Sequence, residues 1–228
     1  MRCTTAPRRS NTTLNGSARA GEDFTAEAAG LGRALHSTVR PLRPEIPIHL
    51  AAEGPKNVAL AGEIADGFHV HPLNSPAYLR EVVRPAIAEG ATEAGRSPDD
   101  VSLFASVFVV TGHDDAEMAR SRESVRQQIS FYASTPSYRV ILEMHGWADV
   151  GEQLSRLAAR KQWDEMPRLI SDEMIETFAV VAPPEEVGRA VLARYRGLVD
   201  RVMLYYPYVP GEFDELWAPT LRAFAEQA

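Results

Sequence analysis

Two short stretches of this chain hold residue types that could do chemistry. The first is "AAEGPK", Ala51 to Lys56. A strand that leaves its sheet at Ala51 and Ala52 and bends at Gly54 brings bare backbone close to a ligand. Pro55 at the first helical position leaves the next N–H groups at a helix N-terminus, which suits an anion such as a phosphate. Lys56 would add a positive charge there, whereas Glu53, as a carboxylate facing the same pocket, would repel the anion. An ordinary tight strand-to-helix turn asks for the same Gly and Pro on geometry alone.

The second stretch is "HVH". Strand alternation puts His69 and His71 on one side, where they could hold a divalent metal if two further ligands joined them. The strand "RVMLYYPYVP" offers no acid for that purpose, and His49 lies mid-strand like a core histidine. Polar lining of a substrate pocket, or a hydrogen-bonded core pair, is therefore favoured for His69 and His71, and no metal site is assigned. "FYASTPSYRVILEMHGW" contributes Tyr138 and Trp147 to a lid or substrate wall, with plain helix packing as the equal alternative. A nucleophilic triad finds no G-x-S-x-G elbow. The acid pairs Asp114–Asp115 and Glu185–Glu186 stand at helix starts, as caps and dipole partners.

These residues need a scaffold that gathers strand ends. From Ile46 onward, β-like runs alternate with helical ones, the signature of βα units around a parallel sheet. "IPIHLAA", "GFHVHP", "SLFASVFVVTG" and "DRVMLYYPYVP" read as strands, the third apolar enough to be covered on both faces. "SPAYLREVVRPAIAEGATEAG" reads as a helix with Ser75 as N-cap and Pro76 at its first position. Asp114 to Glu176 shows helical periodicity without a convincing strand, and a last helix spans Phe213 to Gln227. An open doubly wound sheet expects a G-x-G-x-x-G loop, which is absent. A (β/α)8 barrel expects ligand groups at the C-terminal ends of strands, where Glu53, Gly54, His71, Thr111 and Tyr206 fall.

Composition narrows the partners. The chain of 228 residues has a formal net charge of −7, which argues against nucleic acid and against a basic membrane-surface protein. No apolar run approaches the roughly 20 residues of a membrane span. The single cysteine, Cys3, excludes an internal disulfide framework and fits a cytoplasmic protein. Residues 1–33 are Arg- and Ser/Thr-rich with few aliphatic side chains, and read as a disordered leader ahead of a domain at 34–228.

"IPIHLAAEGPKNVALAGEIADGFHVHP" resembles a segment of the luciferase-like flavin and deazaflavin oxidoreductases. "VVAPPEEVGRAVLARYRGLVDRVMLYY" resembles the closing segment of the same family, in the right order. "SPAYL" and "YASTPSYRVILEMHGW" are similar to the group that uses coenzyme F420 rather than FMN. The resemblance runs from about Val39 to the C-terminus. It implies an α/β fold of the (β/α)8 TIM-barrel type, present as the C-terminal half with a helical insertion. It implies hydride transfer between F420, with FMN as the alternative, and a small organic substrate. The coenzyme would approach the backbone at Ala51, Ala52, Glu53 and Gly54. Glu53 stands where a small or neutral residue is usual in that family. The earlier barrel strands, which carry most catalytic side chains in such enzymes, have no counterpart here. Unpaired edge strands then point to a homo-oligomer. A non-catalytic flavin-binding remnant and a metal-dependent barrel hydrolase using His69 and His71 are the other two readings of these residues.

Overall fold

The computed structural model describes residues 46–206 and 214–226. The leader at 1–33 lies outside the described residues, as does Cys3. Residues Pro47–Ala228 make one compact unit.

Its frame is a sheet of five parallel strands: β1 (His49–Ala51), β2 (Gly67–Val70), β3 (Ser102–Val110), β4 (Ala179–Val181) and β5 (Arg201–Tyr205). Four of these are the expected strands. The short β4 is not among them, because three apolar residues before a proline carry no periodic signal of their own. β3 is the hub. Phe104 pairs with β2 and β5, and Phe108 with β4 and β5, so β2 and β4 share one edge of β3 while β5 takes the other. Asn74 fills the gap between β2 and β4, its side-chain amide donating to the Ser106 carbonyl at 2.9 Å.

Helix α1 (Pro55–Ile64) follows β1. After β2 a continuous helical run begins at Pro76–Tyr78, widens to a π-helical turn at Leu79–Val83 and continues as α2 (Arg84–Glu93). Pro85, which has no N–H to donate, sits just past that widened turn. Ser75 caps the run as expected, accepting from the Tyr78 N–H at 3.1 Å. Beyond β3 the helical stretch is α3 (Asp115–Ala133), a 3-10 turn at Pro136–Tyr138, α4 (Arg139–Met144), α5 (Ala148–Ala159), a 3-10 segment at Trp163–Leu169 and α6 (Asp172–Phe178). Asp114 caps α3 through the Glu117 N–H at 2.8 Å, the role its place in the sequence suggests. Then α7 (Val187–Tyr195) leads to β5, and α8 (Asp214–Ala225) closes the chain.

Strand alternation sorts the two sheet faces. Phe68, Val70, Leu103, Ala105 and Val107 are buried toward the helices. His49, Ala51, His69 and Met203 are exposed on the other face. Two features differ from what the sequence alone implies. His49 is no core histidine: its Nδ1 lies 3.2 Å from His69 Nε2 and its ring rests 4.7 Å from that of Phe104, on the exposed face. Nor is β3 covered on both faces throughout, since Phe104 and Ser106 are only half-buried. Full burial begins at Val107 and holds through Val110.

Candidate functional site

The first member of the site is the turn after β1. Gly54 has φ 83° and ψ 147°, backbone angles that an L side chain adopts only with strain, of about 1–3 kcal/mol. No atom lies within 4 Å of where its Cβ would be, so the turn keeps open space beside bare backbone. The Asn57 and Val58 N–H groups both donate to the Gly54 carbonyl at 3.1 Å. An anion at this helix start therefore meets fewer N–H groups than the sequence suggested, and Lys56 supplies the remaining one in the first turn. Asn57 secures the turn from the other side, its side-chain amide donating to the Glu53 carbonyl at 2.8 Å. Pro55, Lys56 and Ala51 are exposed, while Ala52, Glu53 and Gly54 are half-buried.

Burial pushes the Glu53 carboxyl up to about 7. Half of it is then protonated near neutral pH, which removes much of the repulsion that a carboxylate there would exert on a phosphate. Glu53 lies close enough to Tyr78 and Tyr138 for its charge to add to the burial that raises both hydroxyls, Tyr78 to about 12.

The second member is the C-terminal end of β2. His71 stacks on Tyr138 with ring centroids 4.3 Å apart and meets Tyr132 edge-on at 4.5 Å. The Tyr132 and Tyr205 hydroxyls are 2.8 Å apart, and Phe108 packs edge-on to Tyr205 at 5.3 Å. Burial, followed by the bond to Tyr205, raises the Tyr132 hydroxyl to about 12, so it stays protonated at neutral pH. At the end of β3, Thr111 is fully buried and its Oγ1 has no partner among the described residues. The ends of β1, β2, β3 and β5 thus surround an aromatic wall with a half-ionised acid beside it. Flat rings of this kind suit a flat heteroaromatic ligand.

The structure gathers some expected residues and separates others. Glu53, His71 and Tyr138 share one environment. His69 is on the exposed sheet face with His49 and Phe104, 4.8 Å from the latter, and does not join His71. Trp147 stacks on His145 at 5.2 Å and abuts Phe178, away from the His71 cluster. His145 Nε2 in turn lies 2.9 Å from Ser75 Oγ, which ties the helical insertion to the start of the α2 run. Tyr132 and Tyr205 join the site without a motif of their own in the sequence; the one signal is the spacing of Tyr132 and Tyr138 around a Ser-Thr-Pro break. Among the described residues no group of three or more His, Cys, Asp or Glu could hold a metal, and no helix is long and apolar enough to cross a membrane. Clefts of about 660 Å³ beside α3 and about 680 Å³ at the N-terminal ends of β3 and β5 lie apart from Glu53 and His71. The convergence of strand ends is the stronger pointer, because barrel ligands bind there.

Known proteins bear on the same region. A family described as luciferase-like monooxygenase matches residues 14–201. An uncharacterized protein of Mycobacterium tuberculosis is 43% identical over 156 residues, covering 68% of this chain and 46% of that protein. The 5,10-methylenetetrahydromethanopterin reductase of Methanopyrus kandleri is 30% identical over 168 residues, 73% of this chain and 46% of that enzyme. Among solved structures, the coenzyme F420-dependent tetrahydromethanopterin reductase of Methanopyrus kandleri is similar with a TM-score of 0.59 and 29% identity, over 78% of this chain and 49% of that one. The chain spans about half the length of the curated relatives it matches, 46% in both cases.

Proposed function

From the premise that this chain belongs to the luciferase-like monooxygenase family, we propose that it is an F420-dependent oxidoreductase half-barrel that takes part in hydride transfer to or from a small organic substrate. The observation that carries this is the meeting of the Gly54 turn, with its open backbone and half-neutral Glu53, and the His71–Tyr138 stack at one end of the sheet. The similar solved reductase is named for coenzyme F420, as is a protein of Mycobacterium tuberculosis 30% identical over 168 residues, which supports that coenzyme over FMN. The Gly54 backbone and Lys56 hold the phosphate side, and Tyr138 and His71 border the ring and substrate. When bound, the deazaflavin supplies hydride chemistry; this chain supplies orientation and exclusion of water.

Titration of the purified chain with F420 and with FMN, followed by fluorescence, tests the coenzyme. F420 is expected to bind at least about tenfold more tightly, a difference of about 1.4 kcal/mol. Tighter FMN binding, or binding of neither, overturns the proposal. Alcohol–aldehyde pairs then test turnover. Binding without turnover is the outcome that a non-catalytic remnant predicts.

We also propose a homo-oligomer. Among the described residues β1 pairs only with β2, and β5 only with β3, so each offers an open edge. Met203 on the adjoining face is 58% exposed. Open parallel edges beside apolar surface favour association. Sedimentation at tens of micromolar is expected to show dimers or larger species that dissociate on dilution, and a monomer throughout would sink this.

A further inference from the structure

We propose that His71 is a permanently neutral hydrogen-bond donor, which offers its Nε2–H to the carbonyl or alcohol oxygen of a small substrate at the C-terminal end of the sheet. The choice of acceptor rests on the oxidoreductase reading above; the state of the ring does not.

The tautomer follows from one hydrogen bond. The Leu73 backbone N–H donates to His71 Nδ1 at 3.1 Å. A backbone N–H can only donate, so Nδ1 must keep its lone pair and the ring proton of the neutral imidazole sits on Nε2. The backbone that makes this bond is itself pinned. Asn74 is fully buried, and its amide donates to the carbonyls of His71 at 2.8 Å, Pro72 at 3.2 Å and Ser106 at 2.9 Å. Its other side-chain atom accepts from the Tyr195 hydroxyl at 3.3 Å. Residues 71–74 therefore cannot swing to release Nδ1 without breaking the bonds of a buried Asn74, among them the one to Ser106 on β3.

The ring plane is held as firmly. Tyr138 stacks on one face at 27° between planes, and Tyr132 stands against the ring at 89°. Among the described residues, these tyrosines are the titratable groups that face His71; Tyr132 is bonded to Tyr205, and Tyr138 has Glu53 nearby. Burial lowers the imidazole to about 4, in agreement with the hydrogen bond. Among the described residues no protein group takes the Nε2 proton, so that donor is available to a ligand oxygen. A ring locked in this way cannot serve as a base through Nδ1. It can only read and polarise an acceptor.

Nitrogen-15 spectra of the histidine-labelled full chain test the ring directly, with His71→Phe identifying its signals among the six histidines. The expected result is an Nε2–H tautomer with no titration between pH 5 and 9. An Nδ1–H tautomer, or a midpoint near the ordinary 6.5, overturns the proposal. The acceptor is tested with acetone as the probe, added to the F420-loaded protein and followed by coenzyme fluorescence. His71→Phe keeps the stack and loses the donor, and is expected to bind acetone about tenfold more weakly. His71→Gln restores an N–H donor and is expected to recover part of that loss. Equal acetone affinity in His71→Phe and the unaltered protein overturns the acceptor. So does a loaded protein that takes no acetone at all. If F420 itself does not bind, the function proposed above falls, and the spectra still decide the state of His71.

Discussion

Replacing Gly90 with valine is expected to cost the chain at least about 3 kcal/mol, which is the upper range for overpacked cores. Gly90 lies in α2 against α1, and a Cβ there would sit 1.8 Å from the Ala59 carbonyl oxygen. The obstacle is backbone, which cannot rotate away as a side chain can. Gly62 makes the reciprocal contact, its Cβ position 2.2 Å from the Ile87 carbonyl oxygen. The two helices approach through paired glycines, so any side chain forces them apart and opens the layer under β1 and β2. For a chain of this size a loss of 3 kcal/mol moves the thermal midpoint by roughly 6–12 °C. Gly95→Ala is the control. Gly95 has φ +67° with open space around it, and alanine there should cost only the left-handed strain, about 1–2 kcal/mol. Thermal unfolding followed by circular dichroism compares them. A Gly90→Val midpoint at or above that of Gly95→Ala would show that the helices can part cheaply.

Coenzyme affinity is expected to fall as pH rises through about 7, and Glu53→Gln is expected to abolish that fall. The Glu53 carboxyl is raised to about 7 by burial, so it is neutral well below that pH and anionic well above it. An anion about 6 Å from a phosphate, at an effective dielectric of about 20, opposes binding by about 2.8 kcal/mol, or about 100-fold. The ratio of affinities, unaltered protein over Glu53→Gln, cancels the titrations of the ligand itself. It should be flat below about pH 6, drop up to about tenfold per unit above 7 and level off near pH 9. The sign for the fold is the same. The folded protein keeps a proton that the unfolded chain releases near 4.5, so this group's stabilisation is full below 4.5 and is lost as pH rises through about 7. An affinity ratio that does not change between pH 6 and 9 would mean that the carboxyl does not face the phosphate.

Much of the frame was legible because it is written in neighbouring residues. Gly54-Pro55 marks a strand-to-helix turn, and Ser75-Pro76 marks a helix start, since caps and φ preferences act within a few residues. The apolar run of β3 and the end of β2 just before His71 follow from periodicity in the same way. Periodicity alone does not mark a half-barrel; two segments that resemble one family in the right order do.

The site itself was decided by contacts between residues far apart in the chain. Nothing near Ala179 makes a strand of three residues; its pairing with Phe108 does. A mid-strand place makes His49 read as a core histidine, yet the register with Gly67 turns its ring to the exposed face beside His69. His69 and His71 share a strand side in sequence, but α3 and the turn after it deliver Tyr132 and Tyr138 only to His71. Glu53 reads as a charge in sequence, and becomes half-neutral only when the folded chain removes its water. Local sequence sets which turns and elements form, because those energies are short-ranged. Burial and cross-strand register set which side chains meet and which protons they hold, because both depend on surfaces that exist only after the sheet has assembled.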